Sequence, residues 1–382
     1  MNQDDDRSTL PDYAQGDVKR RLLEHGASGT IYALVMPESE KAIMRVVDGG
    51  DVAMLLTEGD PLTRLMQARE GWLSRFHEPW TQKQDAMHVD YFDRWLEWAA
   101  PVVTVDAKAF THRYPTAGAS EGIVKLMMEY ATRTWANGGT PSVHVFEGEY
   151  EGFSEFAKSM NVAVVRHRRD DWETAIRKVD GGGQFWISQP SSIDGGVWPH
   201  FADFVGTMAG MRPDVEIVPD LSYVGSVASA YDIALDYPNV QAFVISNSKP
   251  FGGYYHRAGG VLARSRKASL FGNKWFKNLT SLAWGVEMMR SHDVFDLPTR
   301  YRQAQIDASA MIASRLGIDG LEPADVSVLA TAPVPPDPTP LVASLIRGVG
   351  GDRRVRVCLT PTMTALIAPH MAPSLNGLML DR

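Results

Sequence analysis

Short apolar runs alternate with longer helical patterns between residues 101 and 263, and no other feature constrains the fold of this chain as strongly. Each run is four or five residues long, which is typical of strands that helices bury on both faces. The pattern predicts an α/β fold with a mostly parallel sheet. The predicted strands are residues 143–146, 162–165, 185–188, 215–219, 242–246 and 260–263.

The clearest helical pattern covers residues 120–135, where apolar side chains recur at three- and four-residue spacings. Ser120 stands before Glu121 as the expected N-cap of this helix. Two further helices are predicted at residues 275–292 and 301–316, and a last α/β piece at about 340–382. Residues 111–116 are polar and contain a proline, so no buried strand is predicted there.

Composition limits the function classes. The 38 basic and 46 acidic residues give a net charge of −8, which argues against nucleic acid as the main partner. No stretch approaches the roughly 18 uncharged apolar residues of a membrane span, and the acidic start of the chain lacks the pattern of a secretion signal. A single cysteine, Cys358, and the absence of a zinc-ligand pattern predict a cytoplasmic protein without a metal site.

Three polar motifs stand at predicted strand ends and at a helix start. Lys249 lies in a segment rich in glycine just after an apolar strand, Asp220 and Tyr223 follow another strand, and residues 118–121 open the predicted helix. Taken singly, Lys249 would be a surface lysine in a loop, Asp220 a helix cap or a turn residue, and Tyr223 a packing residue. Because α/β folds bind ligands at strand ends and helix starts, their combination predicts a ligand site.

These elements and their order resemble the fold-type I family of pyridoxal-phosphate (PLP) enzymes, the aspartate-aminotransferase-like group, over residues 100–265. The resemblance implies a three-layer α/β/α large domain with a mostly parallel mixed sheet at residues 101–290. It implies a smaller α+β domain formed by residues 291–382 and part of residues 1–100. It also implies PLP as the cofactor and a homodimer, since family members build each active site at a subunit interface.

The resemblance assigns catalytic roles to three residues. Lys249 would bind the cofactor as a Schiff base and then move the proton of the substrate Cα. Asp220 would pair with the pyridine nitrogen and keep it protonated, and Tyr223 would hydrogen-bond the ring oxygen.

The resemblance also implies a phosphate site and a stacking residue. A helix N-terminus offers main-chain amides to an anion. Tyr150 matches the position that stacks on the cofactor ring, although core packing is the competing interpretation. The implied phosphate contacts are Ala119, Ser120, Glu121, Ser246 and Arg257.

Near the C-terminus, Arg356 is the candidate that binds the substrate α-carboxylate, with Arg353 and Arg354 as alternatives in register. Ser192 stands where many relatives have an asparagine that bonds the ring oxygen, so the environment of that oxygen differs from a standard aminotransferase. His256 is either a structural residue or an acid–base group.

The sequence therefore predicts a PLP-dependent enzyme that acts on an α-amino acid, most simply an aminotransferase that uses a 2-oxo acid. The alternative is elimination, replacement or a carbon–carbon bond-forming condensation or cyclisation with the same cofactor. A third hypothesis is a PLP-binding regulator or an inactive interaction protein built on the same fold. The acidic first hundred residues do not resemble the basic DNA-binding domain of such a regulator. Residues 118–122 also spell the Gly-x-Ser-x-Gly of a hydrolase elbow, but no strand is predicted before them.

Overall fold

A computed structural model describes residues 12–48, 83–275 and 278–369; the remaining parts of the predicted 1–100, 275–292 and 340–382 segments lie outside the described residues. The helices are α1 (Asp12–Glu24), α2 (Pro37–Asp48), α3 (Lys83–Ala99), α4 (Ala119–Ala136), α5 (Glu151–Ser159), α6 (Trp172–Lys178), α7 (Phe201–Met211), α8 (Leu279–Ser291), α9 (Asp296–Arg300), α10 (Arg302–Leu316), α11 (Pro340–Ala343) and α12 (Thr360–Ile367). The strands are β1 (Val103–Thr104), β2 (His112–Thr116), β3 (Ser142–Phe146), β4 (Ala163–His167), β5 (Gln184–Ser188), β6 (Glu216–Asp220), β7 (Ile233–Ala234), β8 (Ala242–Ser246), β9 (Gly259–Ala263), β10 (Glu322–Pro323), β11 (Leu329–Pro333), β12 (Ile346–Arg347) and β13 (Arg354–Cys358).

A seven-stranded mixed sheet forms the centre of the fold, in the order β2-β9-β8-β6-β5-β3-β4. Strands β4, β3, β5, β6 and β8 run parallel, whereas β9 is antiparallel to both of its neighbours. All six strands predicted from apolar runs are confirmed, with ends that differ by at most two residues. The prediction that residues 111–116 form no buried strand was wrong, because His112–Thr116 form β2 and its last three residues are buried. As an edge strand, β2 tolerates Pro115 and polar side chains.

Alternate residues of the central strands pack into opposite helical layers. In β8, Val244 belongs to the core that α4 covers, while Phe243 and Ile245 belong to the core on the other face. Trp95 of α3 approaches Phe243 with ring centroids 6.0 Å apart. Because both faces of the sheet are buried, its strands read as continuous apolar runs. The arrangement is a three-layer α/β/α sandwich.

Helix α4 covers one face of the sheet with Ile123, Leu126 and Met127, all of them buried. Burial of each such side chain stabilises the fold by roughly 1.5–3 kcal/mol. The prediction of Ser120 as N-cap was wrong by two residues, since the helix begins at Ala119 and Gly118 is its N-cap. At Gly118 the backbone has φ +81°, a left-handed conformation that favours glycine.

The other helix predictions also find counterparts. Helix α8 begins at Leu279, later than predicted, because the side chain of Asn278 accepts a hydrogen bond from Ser281 N at 3.3 Å and caps the helix there. Helix α10 matches the predicted segment 301–316 and ends at Gly317, which has φ +63°.

A second, antiparallel sheet lies in the C-terminal part of the chain, in the order β10-β11-β13-β12. The N-terminal segment joins it, since Ser28 and Cys358 exchange two main-chain hydrogen bonds of 3.2 and 2.8 Å. The larger domain contacts this part through Arg169, whose buried guanidinium lies 2.5 Å from Asp194 and 2.8 Å from Asp352. These contacts fix the strand that carries Arg356 relative to the central sheet.

Candidate active site

Three neighbouring parallel strands end at polar residues on the same edge of the central sheet. Strands β5, β6 and β8 end at Ser188, Asp220 and Ser246. Ser188 stands opposite Asp220 in the register, and Ser246 stands opposite Gly259 of β9. Gly259 also lies directly against Gly118, so helix α4 starts at this edge. The topology therefore brings together the residues that the sequence placed at strand ends.

The start of helix α4 lies against Arg257. The Nη2 of Arg257 donates to the Ala117 oxygen at 2.9 Å, and a Cβ at Gly118 would come within 2.5 Å of the guanidinium. Arg257 itself has φ +50°, a strained conformation for a residue other than glycine. The first amides of α4, those of Ala119 and Ser120 among them, have no acceptor within the helix. Together with the guanidinium they form an electropositive cradle that suits a phosphate.

The carboxylate of Glu121 has other partners and is not suited to contact a phosphate. Its carboxylate accepts a hydrogen bond from Ala117 N at 2.6 Å and pairs with Lys125 at 2.8 Å. Although burial opposes it, these bonds hold the pKa of Glu121 below its ordinary value. Only the main-chain amide of Glu121 is consistent with a phosphate contact.

Two serines of the segment before Lys249 add hydroxyl groups to the site. Ser246 is buried, and its Oγ accepts a hydrogen bond from Ser248 N at 3.2 Å. The Oγ of Ser248 is buried and has no hydrogen-bond partner among the described residues. Since a buried hydroxyl without a partner is costly, it is a position where a ligand acceptor fits. The sequence analysis did not single out Ser248, although its spacing of two from Ser246 was visible.

Lys249 follows β8 and is covered by the N-terminal segment, since its Nζ donates to the main-chain oxygen of Ile31. Burial lowers the pKa of Lys249 to about 8, with Arg356 and Arg257 adding repulsion while Cys358 acts in the opposite direction. A lowered pKa increases the fraction of neutral amine, the form that attacks a carbonyl group. The loop beyond it needs small residues, because a Cβ at Gly253 would overlap the Trp284 indole.

Asp220 is a buried acid, only 5% exposed, at the end of β6. Its Oδ1 accepts hydrogen bonds from Ser222 N at 3.0 Å and from Ser222 Oγ at 2.6 Å. Burial raises the pKa of Asp220 to about 6, and the nearby charge of Glu149 adds to the increase. Tyr223 is also buried, and burial raises the pKa of its phenol. A cationic ligand atom next to Asp220 would relieve the cost of its burial.

Glu149 and Ser192 form a hydrogen-bonded pair at the same edge. Ser192 Oγ donates to Glu149 Oε2 at 2.6 Å, and both residues are buried. The sequence analysis named Ser192 but missed Glu149, for which the only sign was an acidic residue beside Tyr150.

Of the three C-terminal arginines, Arg356 is the one buried at the site, whereas Arg353 and Arg354 are exposed. The guanidinium of Arg356 donates to the main-chain oxygens of Ser192 and, at 3.2 Å, of Gly29. It therefore lies between the central sheet and the N-terminal segment, and its assignment to the substrate carboxylate remains a prediction.

Two aromatic candidates lie in apolar surroundings. The Tyr150 ring is 39% exposed and makes edge contacts with Phe153 and Phe156, at centroid distances of 5.4 and 6.5 Å. The structure thus places it at the start of α5, and its stacking role remains a prediction. The His256 ring lies 4.5 Å from the Trp284 ring, which agrees with a packing role.

Within residues 12–48, 83–275 and 278–369, no group of three or more His, Cys, Asp or Glu residues could hold a metal ion. In the same ranges, no helix combines the length and the apolar composition needed to cross a membrane.

No protein-family model matches the chain, and no curated protein matches it. Solved structures do match it. One is a probable N-succinyldiaminopimelate aminotransferase from Thermus thermophilus, with a TM-score of 0.60, 17% identity, and coverage of 96% of this chain and 99% of that chain. Another is YbdL from Escherichia coli, described as a methionine aminotransferase, with a TM-score of 0.60, 15% identity, and coverage of 98% and 99%. A PLP-bound C-S lyase from Staphylococcus hominis matches with a TM-score of 0.54, 12% identity, and coverage of 76% and 79%.

The similarities to the two aminotransferases extend over nearly the whole chain. They show that the chain has the fold of the fold-type I PLP enzymes, and the predicted α/β class is confirmed. Because one fold serves many reactions, the function has to be argued from the site.

Proposed function

We propose that this chain is a PLP-dependent enzyme that acts on an α-amino acid, most simply an aminotransferase that passes the amino group to a 2-oxo acid. The observation that carries the proposal is the position of Lys249, an amine with a lowered pKa, at the sheet edge that also holds the buried acid Asp220. Both structural relatives with aminotransferase names and the PLP-bound lyase share this fold.

The side chains at the sheet edge fit the cofactor. When bound, PLP supplies an aldehyde that joins an amine and a ring that withdraws electrons from the substrate Cα. Its phosphate matches the cradle of Arg257, the α4 amides and the free Ser248 hydroxyl. Its ring nitrogen matches Asp220, whose burial without a cation is costly.

Each residue of the site is then proposed to have a separate role. Lys249 Nζ holds the cofactor and, once released from it, takes and returns the proton of the substrate Cα. Asp220 keeps a positive charge on the ring nitrogen, and Tyr223 offers its hydroxyl to the ring oxygen. Tyr150 is proposed to stack on the ring.

Substrate binding is assigned to Arg356, whose planar guanidinium suits a carboxylate. The N-terminal segment at Gly29 and Ile31 contacts both Arg356 and Lys249, so it would exclude water from the site. The proposal includes a homodimer, as the family resemblance implies, and a cytoplasmic location, with which a single cysteine agrees.

A second reaction class has support from one observation. Where the family resemblance leads one to expect an asparagine beside the ring oxygen, the chain has Ser192 bonded to the acid Glu149. A site with altered protonation agrees with elimination, replacement or carbon–carbon bond formation on the same cofactor.

A product assay with a panel of amino acids, each with and without a 2-oxo acid, tests both. Transamination converts the cofactor to its aminated form without the oxo acid and yields a new amino acid with it. Release of ammonia or of a displaced group, or formation of a condensed product, without conversion of the cofactor to its aminated form, would instead support elimination, replacement or carbon–carbon bond formation. Failure of the purified protein to bind PLP would overturn the proposal.

A further inference from the structure

Glu149 is a buried carboxyl group to which the proposed division of roles among Lys249, Asp220, Tyr223, Tyr150 and Arg356 assigns no part. It is 8% exposed and stands between β3 and α5, next to Tyr150. Its Oε2 accepts hydrogen bonds from the hydroxyls of Ser188 and Ser192, each at 2.6 Å, and its Oε1 accepts one from Ser188 N at 3.0 Å. Tyr150 N donates a fourth bond at 3.2 Å.

The charged surroundings of Glu149 contain another acid. Asp220 faces it from β6, where Ser188 stands opposite Asp220 in the register, and Tyr223 faces it from the loop that follows. Arg356 of β13 reaches the same place by its bond to the Ser192 main-chain oxygen. Within the described part of the chain, no Lys, Arg or His lies within 4.0 Å of the Glu149 carboxylate. Burial raises the pKa of Glu149, and the hydrogen bonds from Ser188, Ser192 and Tyr150 oppose that increase.

The hydrogen-bond pattern links the charge of Glu149 to the direction of the Ser192 hydroxyl. A hydroxyl has one proton, and an ionised carboxylate only accepts. When Glu149 is ionised, Ser192 gives its proton to Glu149 and offers only lone pairs elsewhere. When Glu149 is protonated, it can donate to Ser192, which is then able to donate its own proton outward. Ser188 is held in place because its Oγ accepts a hydrogen bond from Ser192 N at 2.7 Å.

We propose that Glu149 is a positioning residue of the cofactor site, and that its charge decides whether the Ser192 hydroxyl accepts or donates a hydrogen bond toward the cofactor ring oxygen. This inference rests on the proposed function. An asparagine at position 192 would always offer a donor there, whereas the Glu149–Ser192 pair makes the polarity depend on one proton.

The test compares the wild type with Glu149→Gln, with PLP bound and no substrate, by titrating the visible absorption with pH. The amide of the variant can donate to Ser192 and carries no charge. Both changes disfavour the protonated form of the bound cofactor, so the midpoint moves to lower pH by about half a unit or more. Glu155→Gln, which alters an exposed acid of α5, keeps the wild-type midpoint.

Ser192→Asn keeps the inference open to refutation if Glu149→Gln folds poorly, because its amide always offers a donor toward the ring oxygen while Glu149 stays in place. The midpoint should then move to lower pH, and an unchanged midpoint would overturn the role of the Glu149–Ser192 pair. A further variant tests the hydroxyl itself. Ser192→Ala removes the hydroxyl and leaves Glu149. In this background, Glu149→Gln shifts the midpoint by less than about half of its effect in the wild type, because the hydroxyl that relays the effect is missing. A wild-type protein that binds no PLP would sink the proposed function. A wild-type protein that binds PLP, with the same midpoint in Glu149→Gln, would overturn only the role of Glu149, as would an undiminished shift in the Ser192→Ala background.

Discussion

Lys249, which follows the central strand β8, donates a hydrogen bond to the main-chain oxygen of Ile31, which lies 218 residues earlier in the chain. The lysine is therefore covered by a segment that also contacts Arg356 through Gly29. The N-terminal segment thus contacts both the amine and the candidate carboxylate-binding arginine.

Asp220→Asn is expected to lower turnover and to raise the thermal stability of the cofactor-free protein. The folded-state pKa of Asp220 is about 6, above its ordinary value of 3.8, because the group is buried. Its protonated form therefore stabilises the fold fully below pH 3.8, and this contribution is lost as pH rises through about 6. The cofactor-free variant should melt at a higher temperature than the wild type at pH 8, while turnover falls on the order of 10²-fold or more.

Thermal melts at pH 4 and pH 8, with the exposed Asp203→Asn as control, check this prediction. A variant that melts lower than the wild type at pH 8 would show that Asp220 is held ionised by a partner in the cofactor-free fold.

Ser248→Ala is expected to weaken PLP binding about tenfold, the effect of losing one hydrogen bond to a charged group. The Ser248 hydroxyl has no partner among the described residues, so its removal should leave the unfolding free energy of the cofactor-free protein unchanged or raised. Fluorescence titration with PLP and urea unfolding measure the two effects, and Ser159→Ala on the exposed side of α5 is the control. Unchanged affinity together with a loss of stability would contradict the assignment.

Arg169→Ala should destabilise the fold by roughly 3 kcal/mol, the lower end of the cost of breaking a buried ion pair, because the two acids left without their partner are only partly buried. The side chain is 4% exposed and lies 2.5 Å from Asp194 and 2.8 Å from Asp352. Its neighbour Arg168 is 58% exposed and pairs with Asp170 in solvent, so Arg168→Ala should have a much smaller effect on the unfolding free energy. Denaturant unfolding of both variants checks the difference. Equal small effects would mean that the ion pairs of Arg169 with Asp194 and Asp352 do not stabilise the contact between the central sheet and the C-terminal part of the chain.

Acid should destabilise the protein through a buried histidine pair. His144 Nδ1 and His167 Nε2 lie 2.9 Å apart, and burial lowers the pKa of each imidazole from 6.5 to about 4. Both imidazoles are neutral in the folded protein. Their contribution to the unfolding free energy is therefore fully present above pH 6.5 and is lost as pH falls toward about 4. His167→Gln should flatten the dependence of the unfolding free energy on pH in this window. An unchanged slope, or a similar change in the exposed His200→Gln, would argue against the pair.

The local sequence pattern was sufficient to predict the central strands and the polar residues at their C-terminal ends. Each central strand is an apolar run because both faces are buried. Asp220 and Ser246 end two of these strands, and Lys249 follows Ser246 by three residues. The edge strand β2 was not predicted, because its proline and polar residues argue against a buried strand, yet a proline costs little where one side of a strand has no partner.

Contacts between distant segments could not be predicted from local pattern. The cover of Lys249 by Ile31 depends on the path of the N-terminal segment, and no spacing in the sequence encodes it. Glu149 looks like a surface residue in the sequence, because acids are mostly exposed. Its burial follows only when Ser188 and Ser192, from another strand end and its loop, supply hydrogen bonds.

The most direct test of the account is to locate the covalent cofactor. The purified protein is mixed with PLP, reduced with borohydride and digested, and the peptides are weighed by mass spectrometry. The account predicts that the cofactor mass is on the peptide with Lys249 and is absent in Lys249→Ala, while Lys158→Ala, an exposed lysine, labels like the wild type. Label on another lysine such as Lys267, or no label at all, would contradict the assignment of the site.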